Sequence, residues 1–156
     1  MKGFTPGLLD RLMVEPAAAG SALGVEQLKD SVARDLEALL NTRIALDVAH
    51  LDAYPLARAS ILHYGLIDFA GFCLTSSIDR AAVCASIEEA IATHEPRLQE
   101  ARAVLEPGAG DVNRLHFAIH ARLVVDGLHE PVNFNAALQP SSLHYEINRT
   151  ARPARG

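Results

Sequence analysis

The chain is poor in cysteine, poor in basic charge and without a long apolar run, and each shortage closes off a class of function. Two cysteines occur in 156 residues, Cys73 and Cys84. They form neither a C-x-x-C pair nor a disulfide framework, and their apolar neighbours (Gly71-Phe72-Cys73-Leu74 and Val83-Cys84-Ala85) make them read as small buried hydrophobes in a reducing compartment. Lysine and arginine total 14 against 19 acids, a formal net charge of −5. No basic stripe is left to neutralise phosphates, so nucleic acid is not an expected partner. No stretch approaches the roughly 18 apolar residues of a membrane span, and Met1-Lys2-Gly3-Phe4-Thr5-Pro6 has no signal core. Neither membrane insertion nor signal-directed export is expected. A GxSxG elbow, a phosphate loop, a Cys–His nucleophile pattern and an internal repeat are all missing.

What is present is ordinary globular composition, 49% hydrophobic and 21% charged, enough for one domain with one core. Thr5-Pro6 is a helix-start pair, and Leu8, Leu9, Leu12 and Met13 then form one apolar face before Glu15-Pro16 ends the turn. Pro16 to Gly24 is rich in small residues and reads as a linker, so 1–24 is a flexible N-terminal arm with a short helix. Val25, Leu28, Val32, Leu36, Leu39 and Leu40 recur at helical spacing over Val25 to Asn41, with Asn41 offered as a C-terminal cap. From Arg43 to Ser77 the periodicity weakens. Pro55, Gly65 and Gly71 break that segment into irregular pieces with one or two helical turns. Ser76 or Ser77 then caps a second long helix through Val83, Ile87, Ala90 and Ile91, which Pro96 stops near His94.

After Pro96 the period becomes two. Leu115 to Leu123, Val132 to Leu138 and Leu143 to Asn148 alternate apolar with polar residues, and Leu98 to Leu105 makes a less regular fourth strand. Turn chemistry at Pro107 to Asp111, Asp126-Gly127 and Gln139 to Ser142 joins them. The fold class expected is α+β, with N-terminal helices packed on a C-terminal antiparallel meander of about four strands. A single domain spans 1–148, and 149–156 is a disordered basic tail. Glu-Pro occurs at Glu15, Glu95, Glu106 and Glu130, each read as punctuation at an element end.

Seven histidines invite a metal hypothesis. His116 and His120 have the i, i+4 spacing of a helical zinc pair, but on a strand they stand about 13 Å apart, too far to share one ion. They read as wet-face residues, and no metal or other cofactor is expected. Among the carboxylates, Glu88 and Glu89 lie beside an apolar helical stripe as a solvated face, and with Glu95 and Glu100 they do not make the acid pair a glycosidase needs. No catalytic residue is assigned. Glu95 and Arg97, two apart across Pro96, present opposite charges on one side of a chain that becomes extended there, either as an internal clamp at the helix-to-sheet junction or as a contact for a partner.

Three motifs in order carry a resemblance: Arg34-Asp35-Leu36-Glu37-Ala38-Leu39-Leu40-Asn41-Thr42-Arg43, then Ser60-Ile61-Leu62-His63-Tyr64-Gly65-Leu66-Ile67-Asp68-Phe69, then Glu95-Pro96-Arg97-Leu98. Together they resemble the TssE family of type VI secretion baseplate subunits, similar to the contractile-phage baseplate wedge protein historically labelled a lysozyme. Ile67 stands where that family commonly has proline. The resemblance implies a non-enzymatic, cytoplasmic baseplate subunit at the inner face of the cytoplasmic membrane. It implies assembly with the wedge proteins TssF, TssG and TssK around a spike or hub, and a link to the sheath proteins TssB and TssC whose polymerisation it helps initiate. Open strand edges would suit such recruitment. Partner-binding residues expected from the resemblance are Glu95, Pro96, Arg97, Arg34, Asp35, Asn41 and Arg43. The readings it competes with are a small adaptor regulating a soluble partner and a peptidoglycan hydrolase.

Overall fold

A computed structural model describes residues 3–13, 22–73, 75–106, 115–139 and 141–149. Helices α1 (Leu8–Met13), α2 (Val25–Asn41), α3 (Val48–Leu51), α4 (Pro55–Arg58) and α5 (Ser77–His94), with a 3-10 turn at Ile61–His63, precede four strands. The strands β1 (Leu98–Glu106), β2 (Leu115–Val125), β3 (Leu128–Gln139) and β4 (His144–Arg149) form one antiparallel sheet in sequence order. The expected α+β meander is therefore present.

Period-two patterning places Phe117, Ile119 and Leu123 of β2, Phe134 and Leu138 of β3, and Tyr145 of β4 on one buried face. Against it lie Leu28, Val32, Leu36 and Leu39 of α2 with Val83, Ile87 and Ile91 of α5. Each large side chain taken out of water here is worth about 2 kcal/mol, which is what holds two separate helices on one sheet. The opposite face carries His120, Asn133, His144 and Asn148 in solvent, and His120 hydrogen-bonds Asn133 at 2.8 Å.

Several boundaries move, each for a physical reason. The expected irregularity of the first strand is a register shift between Gln99 and Arg102, where Glu100 adopts φ 55°. Glu130-Pro131 lies inside β3 rather than at its end. Asp126 (φ 48°) and Gly127 (φ 82°) make the two-residue turn joining β2 to β3, and both positive angles are those of the hairpin turn that Asp-Gly favours. Counting out from the Val125–Leu128 pair, the nitrogen of Pro131 points away from β2, so its missing N–H breaks no β2–β3 bond. Arg149, placed in the tail by its sequence context, closes β4 opposite Phe134 and pairs with Glu26 and Asp30 at 2.8 Å each. The rest of the tail lies outside the described residues.

The N-terminal arm holds two further differences. Phe4 is buried and exchanges backbone hydrogen bonds of 2.9 Å with Leu23, tying both ends of the arm to the core. Residues 14–21, most of the expected linker, lie outside the described residues. Helix α1 starts at Leu8, not at Thr5-Pro6, because Asp10 accepts from the Gly7 amide at 3.2 Å. The same carboxylate accepts from Ser31 Oγ at 2.6 Å and pairs with Arg34. Asp10 therefore faces the protein, and Leu8, Leu12 and Met13 face solvent, the reverse of an ordinary packed amphipathic turn.

Candidate functional site

The end of α5 sets the geometry of the corner. Glu95 N–H still bonds the Ile91 carbonyl at 2.9 Å, and Leu98 N–H bonds the Glu95 carbonyl at 3.0 Å, so Glu95-Pro96-Arg97-Leu98 is a turn and the strand begins only at Leu98. The expected extended chain at Glu95 and Arg97 is therefore replaced by a turn, though the two side chains still meet. Proline fixes the turn's second position and is itself exposed. The Arg97 carbonyl takes the Val124 amide at 2.8 Å, which anchors the corner to β2.

Within this turn Arg97 grips Glu95 with a planar fork, Nε to Oε1 at 2.6 Å and Nη2 to Oε2 at 2.5 Å. Nη2 also reaches Asp35 Oδ2 on α2 at 2.6 Å. Glu95 is only 5% exposed, so its carboxylate is a buried charge that the guanidinium compensates. Hydrogen bonds that Arg97 donates to Glu95, and then to Asp35, push its pKa up against the opposing effect of burial. The corner is thus an internal three-residue clamp joining α5, β1 and α2, with the Arg97 and Asp35 side chains each about a quarter exposed at 24% and 28%. Tyr64 lies close by. Burial raises its pKa, and the charges of Asp35 and Glu95 raise it further. His94 donates from Nε2 to the His63 carbonyl at 3.0 Å and meets Tyr64 edge to face at 5.2 Å. Together with Leu8, Leu39 and Pro96 these groups line a cleft of about 400 Å³.

The other candidate residues on α2 do different work. Arg34 is exposed and holds Asp10 of α1. Asn41 does not cap its own helix; Thr42 occupies that position. Its amide reads a strand instead, Nδ2 donating to the Tyr145 carbonyl at 2.8 Å and Oδ1 accepting the Tyr145 amide at 2.7 Å. Arg43 caps α2 through the Leu40 carbonyl at 2.8 Å, bonds the Leu143 carbonyl, and lies 6.0 Å from the Tyr145 ring centroid. Glu37 Oε2 accepts the Ile147 amide at 2.9 Å. The first and third motifs therefore meet at one corner through Asp35 and Arg97, while Asn41 and Arg43 lie along β4.

The consequence for the sheet edges corrects the expectation of open ones. Along β4, Leu143, Tyr145 and Ile147 are bonded to Arg43, Asn41 and Glu37 of the α2 exit. Along β1, the Ala103 amide is taken by Glu88 of α5 at 2.9 Å. Helix side chains occupy both outer edges, which blunts them against casual strand addition.

Cys73 is also corrected: it is exposed, and a hydrogen bond from the Thr75 hydroxyl lowers its pKa, whereas burial raises that of Cys84. Sequence reasoning missed two further groups. Asn41 and Glu37 as backbone partners leave no local pattern, since their partners are about a hundred residues away. Tyr54, Leu56, Ile61 and Leu62 are exposed apolar residues clustered between Leu51 and His63. Their signal was available as apolar residues without periodicity in a segment punctuated by Pro55 and Gly65.

The architecture is that of small α+β domains whose helices are ion-paired to the corner of an antiparallel meander. Residues 26–127 match the family described as baseplate wedge protein gp25, and with more than half of its length matched the chain belongs to that family. No curated protein matches the sequence. A chain in a solved structure described as "The baseplate complex from the type VI secretion system" is similar at 15% identity and a TM-score of 0.47, over 81% of this chain and 97% of that chain. No helix among the described residues is long and apolar enough to cross a membrane.

Proposed function

We propose that the protein is a structural subunit of a type VI secretion baseplate wedge. It assembles with TssF, TssG and TssK around the spike or hub, at the cytoplasmic face of the inner membrane, and links that wedge to the TssB–TssC sheath whose polymerisation it helps start. The observation that carries this reading is the family match over residues 26–127. The corner supports it chemically. Glu95 and Arg97 hold the turn between helix and sheet, and the exposed parts of Arg97, Asp35 and Pro96 form the rim a partner would meet. Arg34, Asn41 and Arg43 fix the neighbouring surfaces. A sheath strand adding at β4 would have to displace Asn41 and Glu37, so this contact belongs to the assembled state.

The role is non-enzymatic. Both Glu95 oxygens are held by Arg97, and Glu88 is held by the Ala103 amide and by Arg102 at 3.3 Å, which leaves neither placed to hand a proton to a leaving group. The test is reconstitution of the full chain with purified TssF, TssG and TssK. Co-elution as a stable wedge is expected; failure to join it, or turnover of purified cell-wall material that disappears in a folded Glu95 or Glu88 variant, overturns the reading.

A further inference from the structure

Between Leu51 and His63, in the segment that joins α2 to α5, four apolar side chains turn outward while Leu66 and Phe69 further on are buried. Leu56 is 89% exposed and Ile61 83%, and Tyr54 and Leu62 are exposed beside them. An exposed apolar cluster of this kind marks an interaction surface. Its shape is held. Asp47 caps α3 at the Ala49 amide at 3.0 Å, Pro55 opens α4, and Ser60 Oγ bonds the Leu62 amide at 3.2 Å. Leu51 and His63 are buried at its two ends, and Arg58 ties it to α5 through Glu89 at 2.8 Å while also holding Asp52 at 2.7 Å. A preformed apolar surface loses little on binding, because its ordering cost has been met in folding.

The charge around it selects the occupant. Three carboxylates, Asp47, Asp52 and Glu89, stand with one arginine, Arg58, which pairs with two of them, and the whole chain is at −5. A second copy would bring acidic rim against acidic rim, and an anionic lipid surface would be repelled in the same way. We propose that Tyr54, Leu56, Ile61 and Leu62 dock an apolar segment of another protein chain, flanked by lysine or arginine, whose cations face Asp47, Asp52 and Glu89. This surface is separate from the Glu95–Arg97 corner, and it rests on the assembly role only in that such a role supplies a partner.

A photo-crosslinking residue placed at Leu56, and separately at Ile61, in the full chain within its native cells tests the proposal. Both positions are expected to join the same partner peptide, containing apolar residues beside Lys or Arg. Replacing those partner cations by Glu, or introducing Tyr54→Asp into the crosslinking chain, is expected to abolish the product while circular dichroism of the purified variant stays unchanged. Crosslinks to this chain alone, to lipid, to a peptide without flanking cations, or to nothing overturn it. Whether the joined chain is a baseplate subunit reports separately on the assembly role.

Discussion

Replacing Arg97 by Ala strips the guanidinium from a carboxylate that is almost fully buried. Breaking a buried ion pair from one side costs about 3–5 kcal/mol, because the remaining charge is left uncompensated. Here the figure is reduced, since Arg97 is 24% exposed and its second partner, Asp35, is 28% exposed and can be rehydrated. The expected loss is about 2–3 kcal/mol, or on the order of 5–10 °C in melting temperature for a chain of this size. The double variant Glu95→Met with Arg97→Met removes the charge as well as its partner and should lie within about 1 kcal/mol of wild type, because well-packed apolar replacements of buried pairs are close to neutral. Urea denaturation of wild type, Glu95→Met, Arg97→Met and the double variant closes the cycle and yields the coupling directly. Were Arg97→Ala to cost less than about 0.5 kcal/mol while abolishing wedge assembly, the clamp would carry no structural weight and the motif would act only as a contact surface.

Three further outcomes test other parts of the molecule. Asn41→Ala leaves the Tyr145 amide and carbonyl without their partner and should cost about 2 kcal/mol, with faster hydrogen exchange at the Tyr145 amide; unchanged exchange would refute the edge-sealing role. Gly65 has φ +120°, and an added Cβ would stand 2.5 Å from the Thr42 carbonyl oxygen, so Gly65→Ala should lower stability by more than about 1 kcal/mol in a chemical melt, against the usual gain from removing a glycine. Titrating alkylation by iodoacetamide from pH 6 to 9 should show Cys73 reacting first. Its pKa is lowered by Thr75, so its reactive thiolate populates at a lower pH, while burial raises the Cys84 pKa and shields it; equal rates would contradict both shifts.

Much of the fold was legible because its signals are local. The leucines of α2 recur at helical spacing, β2 alternates with period two, and Asp126-Gly127 specifies its own turn. The junction at Pro96 was legible for the same reason, and so was the charge pair across it, since Glu95 and Arg97 are neighbours in sequence. Their third partner was not. Asp35 lies about sixty residues upstream, on the same helix that supplies Asn41 and Glu37 to β4, and no spacing rule connects a helical carboxylate or amide to a distant strand. Alternation also began β3 too late, at Val132, because Pro131 looks like a breaker until the hairpin register shows which way its nitrogen points. Helix α1 misled in the opposite sense. Its leucines have the pattern of a packed face, but one carboxylate with three partners outweighs them in fixing the rotation of so short a helix.

The sealed edges and the outward apolar residues belong to one argument. A meander has two edges at which chains can add, and in this protein the side chains of α2 and α5 have already taken their backbone groups at Tyr145, Ile147 and Ala103. Adding a strand there exchanges existing hydrogen bonds for new ones, with a small net gain of about 1 kcal/mol or less per bond. Apolar side chains left in water gain more from being covered, about 1.5–3 kcal/mol each for Leu56, Ile61 or Leu62 when fully buried. Affinity for a first partner should therefore reside in those exposed residues. The edges fit a later contact, made once neighbouring subunits hold a strand in place and the ordering cost has fallen. If Asn41→Ala leaves wedge assembly intact but lets the sheath engage more readily, whereas Leu56→Asp blocks assembly outright, the two surfaces act in that order; the reverse pattern would put the edge first.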